Sequence, residues 1–217
     1  MKARDLSLYL VLDPDLCGGL DGMLATTVAA VESGVTVVQL RAPGWKKRQW
    51  LDAARELKAL LAATPVPLII NDQVDIALAV DADGVHVGQD DLPVAEVRRL
   101  IGPNKWLGLS ISSRAELETA DLTSVDYLGI GPVFPTGSKL DAAPACGLAE
   151  LAELVKLGGL PTVAIGGIGL ANSGDVLRAG ADGVAVISAI CGQHDPAAAT
   201  QKLAQAIRAA RPVYRAG

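Results

Sequence analysis

The 217-residue chain is 50% hydrophobic and carries a formal net charge of -5 at pH 7. It is long enough for one sizeable α/β core and, without a long Lys/Arg run, poorly suited to a nucleic-acid surface. Cys17, Cys146 and Cys191 are odd in number and far apart with no CxxC pair, which fits reduced thiols better than a disulfide framework or a zinc site.

Short β-branched runs alternate with amphipathic stretches all along the chain. The opening MKARDLSLYLVLD turns acidic after too short an apolar run for a signal peptide, and no uninterrupted apolar run of about 18 residues follows. A cytoplasmic protein with no membrane partner is expected. Strands are predicted at 7–12, 36–40, 68–71, 84–87, 106–110, 127–129, 162–165 and 183–187.

Helices are predicted between the strands. In 47–63, Trp50, Leu51, Ala54, Leu57, Leu60 and Leu61 recur at spacings of three or four, and Pro65 and Pro67 end the run. Asp91-Leu92-Pro93 opens another helix with an acidic cap and an early proline, and Gly102-Pro103 closes it. Further helices are read at 113–120, 148–157, 173–179 and 196–210. The longest irregular piece, 131–144, is a candidate functional loop. Eight strand–helix pairs in so short a chain, with no GxGxxG turn, predict a single (β/α)8 TIM barrel over residues 1–217 rather than an open doubly wound sheet.

The active site of such a barrel lies where its strands end, so polar residues there are the ones to inspect. Gly166 and Gly167 after the seventh strand and Ser188 after the eighth read as two halves of a phosphate cup; the plainer reading of the glycines is a tight turn. Asp72 and Asp91 follow neighbouring strands and would bring two carboxylates to one rim, a donor set that suits Mg²⁺. Each could instead cap the helix beside it, and Asp90 is an alternative to Asp91. Arg41 and Lys139 are isolated cations at loop positions on the same rim, although a lone loop lysine is ordinarily just exposed. His86, inside the fourth strand, reads as a hydrogen-bonded core histidine, and His194 as a surface residue. Cys146 and Cys191 read as small packing residues.

Five blocks then resemble, in order, the thiamine-phosphate synthase family: Val38-Gln39-Leu40-Arg41, Ile70-Asn71-Asp72, Gly84-Val85-His86-Val87-Gly88-Gln89-Asp90-Asp91, Gly131-Pro132-Val133-Phe134-Pro135-Thr136 and Ala164-Ile165-Gly166-Gly167-Ile168. The resemblance implies that Gln39, Arg41, Asn71, Ser110 and Lys139 hold a hydroxymethylpyrimidine diphosphate and that Asp72 and Asp91 hold Mg²⁺. It further implies that Thr136, Gly137, Ser138, Gly167, Ile187 and Ser188 receive a thiazole phosphate. The implied reaction is a dissociative substitution in which Mg²⁺, Arg41 and Lys139 stabilise the departing pyrophosphate and the thiazole nitrogen captures a pyrimidine-methyl cation, with Arg41, Ser110 and Lys139 as the implied catalytic residues.

Two departures from the family pattern stand out. Pro43 replaces a lysine after Arg41, and Lys46, Lys47 or Arg48 is expected to reach in instead; Ile111-Ser112 replaces a small residue followed by histidine. A thiazole tautomerase of the same fold and a non-catalytic barrel that binds a phosphorylated metabolite are the competing readings, and neither would release pyrophosphate. The exposed helix faces are compatible with a homo-oligomer.

Overall fold

The computed structural model describes residues 5–137 and 144–211. Strands β1 (Leu8–Leu12), β2 (Val37–Leu40), β3 (Leu68–Asn71), β4 (Gly84–Val87), β5 (Trp106–Ile111), β6 (Tyr127–Ile130), β7 (Thr162–Ile165) and β8 (Gly183–Val186) pair in parallel and in chain order. β8 closes on β1, so the sheet is the expected (β/α)8 barrel. The helices are α1 (Pro14–Cys17), α2 (Leu20–Glu32), α3 (Lys47–Leu61), α4 (Val74–Ala79), α5 (Val94–Ile101), α6 (Arg114–Thr119), α7 (Gly147–Gly158), α8 (Ser173–Arg178) and α9 (Pro196–Ala210). None of them is long and apolar enough to cross a membrane.

Element ends follow local chemistry. α1 and α9 begin at aspartates: Asp13 accepts the N–H groups of Asp15 and Leu16 at 3.0 Å each, and Asp195 accepts that of Ala198 at 2.9 Å, with proline at the start of both helices. α3 buries Trp50, Ala53, Ala54, Leu57 and Leu61 and stops two residues before the predicted end, where Ala62 N–H turns back to Ala59 O at 3.3 Å. β8 stops one residue short of the predicted Ile187, because that carbonyl accepts the N–H groups of Ile190 and Cys191 at 3.0 and 2.8 Å and turns the chain.

Strand residues alternate between two cores. One parity, including Leu10, Leu12, Val38, Leu40, Ile70, Val85, Leu109, Leu128 and Val184, packs outward under the helices. The other fills the barrel lumen with Tyr9, Val11, Val37, Ile69, Tyr127, Val163 and Ala185, and Trp106 packs against them. Inward glycines make room for the rings. A Cβ at Gly108 would lie 2.2 Å from Tyr127 Cζ and 2.3 Å from His86 Nδ1, and one at Gly129 would lie 2.8 Å from His86 Cε1.

The N-terminal end of the barrel carries a repeated device. Thr36, Asp83, Asp126 and Asp182 each stand immediately before an even-numbered strand. Their side chains accept the N–H groups of Leu8, Leu68, Leu107 and Thr162 at 3.1, 2.9, 2.8 and 2.8 Å, all at or next to the start of the preceding odd-numbered strand. Lys58 answers the charge of Asp83 at 3.0 Å, and Arg98 that of Asp126 at 2.7 Å. The three cysteines are free thiols, and Cys191 is buried as expected of a packing residue, its Sγ 3.7 Å from Val11 O.

Candidate active site

All strands are parallel, so their C-terminal ends share one rim, and register sets which residues meet there. Gln39, Asn71 and Ser110 belong to the inward parity. Asn71 stands opposite His86, and Ser110 opposite Gly129. Asp72, the first residue past β3, adopts a left-handed backbone with φ 57, a conformation that aspartate tolerates better than most residues. Its N–H donates to His86 O at 2.8 Å and its Oδ2 accepts Asn71 Nδ2 at 2.6 Å.

Asp91 Oδ2 accepts the N–H of Gly88 at 2.7 Å, which folds the β4–α5 loop back over its strand. Neither aspartate occupies the cap position of a helix. The residues at the cap positions of α4 and α5 are Gln73 and Pro93, without a side-chain cap bond. This differs from the cap reading because αL geometry at Asp72 and the Gly88 bond at Asp91 direct both carboxylates elsewhere. Gln89 Nε2 donates to Ser110 O at 2.7 Å and ties the same loop to β5. Asp90 is exposed.

Among the described residues no group of three or more His, Cys, Asp or Glu side chains could enclose a metal ion. Two hard carboxylates that follow adjacent strands, both partly buried, nevertheless fit a cation that keeps several waters and completes its shell with substrate phosphate oxygens, which is how Mg²⁺ is usually held.

Across the rim, Gly166 and Gly167 have φ values of 98 and 63, and both lie under the β6–α7 loop. Val133 N–H donates to Ile165 O at 2.9 Å and Phe134 N–H to Gly166 O at 3.1 Å. The glycine turn is therefore demanded by packing, whatever it binds. Asn172 braces it, accepting Gly169 N–H at 2.8 Å and donating to Gly167 O at 2.9 Å. Thr136 and Gly137 end the described part of the β6–α7 loop, while Ser138 and Lys139 lie outside the described residues. Ile187 is half-buried and Ser188 exposed just past β8, with Ser188 O accepting Gln193 Nε2 at 2.7 Å.

Arg41 is half-buried one residue past β2. Pro43 follows in a turn closed by Trp45 N–H donating to Ala42 O at 3.0 Å, a position for which proline is pre-shaped. The expected compensation by its neighbours is not seen for two of them. Lys47 pairs with Asp75 at 2.7 Å and also binds Gln73, and Arg48 pairs with Asp52 at 3.1 Å one turn on, because α4 offers the first a carboxylate and α3 the second. Lys46 is exposed at the start of α3, where its N–H is held by Gln49. At the second departure Ile111 is buried as the last residue of β5, and Ser112 holds Glu116 through its N–H at 2.7 Å and its hydroxyl at 2.6 Å.

Beneath the rim runs a chain of polar groups that sequence reasoning missed apart from its ends and His86. Gln39 Nε2 meets Tyr9 Oη at 2.8 Å, Tyr9 Oη meets Tyr127 Oη at 2.9 Å, Tyr127 Oη meets His86 Nδ1 at 3.0 Å, and His86 Nε2 meets Ser110 Oγ at 2.9 Å. Its inner members are buried, and burial pushes the Tyr9 hydroxyl above the ordinary tyrosine range, so it stays protonated. The signal available in sequence was parity: Tyr9, Gln39, His86, Ser110 and Tyr127 all fall on inward positions of predicted strands.

Burial also pushes the His86 imidazole down to about 4 from 6.5, with Asp91 acting weakly in the opposite direction. A depressed folded value means that His86 contributes stability in full above the unfolded value and loses it as pH falls towards 4, since the unfolded chain then takes up a proton that the folded one refuses. Urea unfolding of the metal-free protein should show a loss of about 3 kcal/mol over that interval. The loss should shrink in His86→Gln, and an equal pH slope in the two proteins would refute the assignment.

A closed parallel barrel with polar residues at its strand C-termini and a glycine turn after the seventh strand is built like barrel enzymes that hold a phosphate group at that end. Residues 8–190 match the sequence family described as thiamine monophosphate synthase. The thiamine-phosphate synthase of Laribacter hongkongensis is 60% identical over 93% of this chain and 95% of its own, and that of Xanthobacter autotrophicus 52% identical over 97% and 99%. The solved thiamine phosphate pyrophosphorylase of Pyrococcus furiosus superposes with a TM-score of 0.85 at 36% identity, covering 95% of this chain and 98% of that one. A 3-hexulose-6-phosphate synthase, TM-score 0.64 at 19% identity, shares the fold alone. The chain belongs to the thiamine monophosphate synthase family.

Proposed function

We infer that this chain is a transferase that joins a hydroxymethylpyrimidine diphosphate to a thiazole phosphate, releasing thiamine phosphate and pyrophosphate, with Mg²⁺ as its cofactor. The observation that carries the reading is the coincidence on one rim of aspartates that follow β3 and β4 with the Gly166-Gly167 turn after β7, in a chain of this family.

Bound Mg²⁺ supplies positive charge to a diphosphate whose negative charge grows as it leaves. Asp72 and Asp91 hold the ion, and Asn71 orients Asp72. Arg41 and Lys139 bind diphosphate oxygens, where fixed cations stabilise developing charge more than water does. Gln39, Asn71 and Ser110 orient the pyrimidine diphosphate. On the opposite side Thr136, Gly137, Ser138, Gly167, Ile187 and Ser188 receive the thiazole phosphate and set its nitrogen against the methylene carbon. The C–O bond to diphosphate breaks with its electron pair going to oxygen, and the thiazole nitrogen lone pair forms the new C–N bond. The pyrimidine's own amino group supplies the push, so the protein's task is positioning and electrostatics rather than base catalysis. A neutral His86 suits this, since it adds no charge under the site.

The test is to incubate the protein with both substrates, with and without Mg²⁺, and to follow thiamine phosphate and pyrophosphate together. Equal, Mg²⁺-dependent formation of both is expected. Binding of a thiazole phosphate without either product would favour an isomerase or a regulatory barrel instead.

A further inference from the structure

We propose that Tyr9, Tyr127 and His86 are positioning residues that fix the hydroxyl of Ser110 as a hydrogen-bond donor aimed into the site, so that it selects an acceptor atom of the pyrimidine diphosphate. The inference rests on the placing of Ser110 at that substrate and deepens it by giving its hydrogen bond a direction.

The direction follows from counting protons. The Gln39 atom facing Tyr9 is Nε2, which can only donate, so Tyr9 Oη accepts there and its one proton is committed to Tyr127 Oη. Tyr127 Oη, accepting from Tyr9, directs its own proton to His86 Nδ1. A neutral imidazole whose Nδ1 accepts carries its proton on Nε2, and Nε2 faces Ser110 Oγ. Ser110 Oγ therefore receives a hydrogen bond from below and keeps its own proton for whatever lies above it.

With Nε2 of the Gln39 amide turned to Tyr9, reversing any single link would break a bond in a buried lumen, and such a break is costly. Inward packing holds the links in place. The Tyr9 and Tyr127 rings stand 6.1 Å apart, His86 and Tyr127 5.5 Å, and Gly108 and Gly129 leave the space that the imidazole occupies. An acceptor presented by the ligand, such as a phosphate oxygen or a ring nitrogen, is favoured at Ser110; a donor such as an exocyclic amino group would face a proton.

The chain holds two histidines, His86 and His194, so ¹⁵N-histidine labelling of the full-length protein reads the relay directly, with His194→Gln assigning the signals. The expected spectrum in the free protein shows a neutral His86 protonated on Nε2. In Tyr127→Phe that tautomer should lose its preference, and KM for the pyrimidine diphosphate should rise about tenfold while KM for the thiazole phosphate stays unchanged. Tyr9→Phe, one link further away, should do the same more weakly.

An Nδ1–H tautomer in the unmodified protein would overturn the direction. An unchanged pyrimidine KM in a Tyr127→Phe protein with altered His86 signals would overturn the positioning role, and equal losses for both substrates would reduce the relay to packing. A protein inactive toward both substrates would refute the functional assignment, while the tautomer would still decide the direction of the chain.

Discussion

Replacing Asp72 or Asp91 by asparagine should lower kcat/KM for the pyrimidine diphosphate by about 10²- to 10³-fold and raise the Mg²⁺ concentration needed for half-maximal rate, with little change in stability. Asparagine isolates charge from fold at both positions. At Asp72 the backbone has φ 57, where asparagine is as tolerant as aspartate and alanine is not. At Asp91 an amide oxygen can still accept the Gly88 N–H that the carboxylate now takes at 2.7 Å. Unfolding free energies should therefore stay within about 1 kcal/mol of the parent, so a fall in activity reports the metal and not a loosened rim. Titration of thiazole phosphate binding supplies the contrast, since that half of the site should be unaffected. Full activity in both variants would remove the aspartates from the mechanism.

Gly166→Ala should be among the most destabilising single-methyl additions in this protein, at about 3 kcal/mol or more. The position has φ 98, outside the range that an L side chain adopts comfortably, and the new Cβ would lie 2.5 Å from Pro132 Cβ and 2.6 Å from Pro132 Cα. Neither neighbour is the free end of a flexible side chain. Relief would require the β6–α7 loop to lift off β7, which would break the hydrogen bonds of Val133 and Phe134 to Ile165 and Gly166 and displace Thr136. Denaturant unfolding should register the loss, and KM for the thiazole phosphate should rise in whatever fraction still folds. Gly44→Ala, where an added Cβ meets nothing within 4 Å, is the matched control and should be close to neutral. Comparable stability of the two variants would show that the turn yields more easily than its packing implies.

The barrel was legible in the sequence because its strands are short aliphatic runs with clear turn signals, and because a fully buried parallel sheet leaves no other place for them. The rim was legible for a different reason: polar residues at strand ends, such as Gln39, Asn71 and Asp72, interrupt apolar patterning where nothing structural calls for them. What could not be read was how loops fold back and which side chains come to lie together. The cap reading of Asp91 looked sound along the chain, and only the folding back of the β4–α5 loop shows the carboxylate held by Gly88 instead. Lys47 and Arg48 looked free to replace the missing lysine, and their ion pairs with Asp75 and Asp52 become visible only once α3 has direction and α4 lies beside it. The hydroxyls of Tyr9 and Tyr127, 118 residues apart in sequence, are brought together only by strand register.

That register has an anchor at the far end of the molecule. A parallel strand is joined to its neighbour by a helix and not by a tight turn, so no hairpin geometry fixes how the two slide past each other. Thr36, Asp83, Asp126 and Asp182 act as index pins, each locking an even strand to the start of the odd strand before it. A slip of one residue at such a seam would turn every side chain of the strand over, carrying Gln39 or His86 out among the helices and a leucine or valine into the lumen. The alignment of the chemistry at the mouth is in this sense set by four oxygen atoms at the floor.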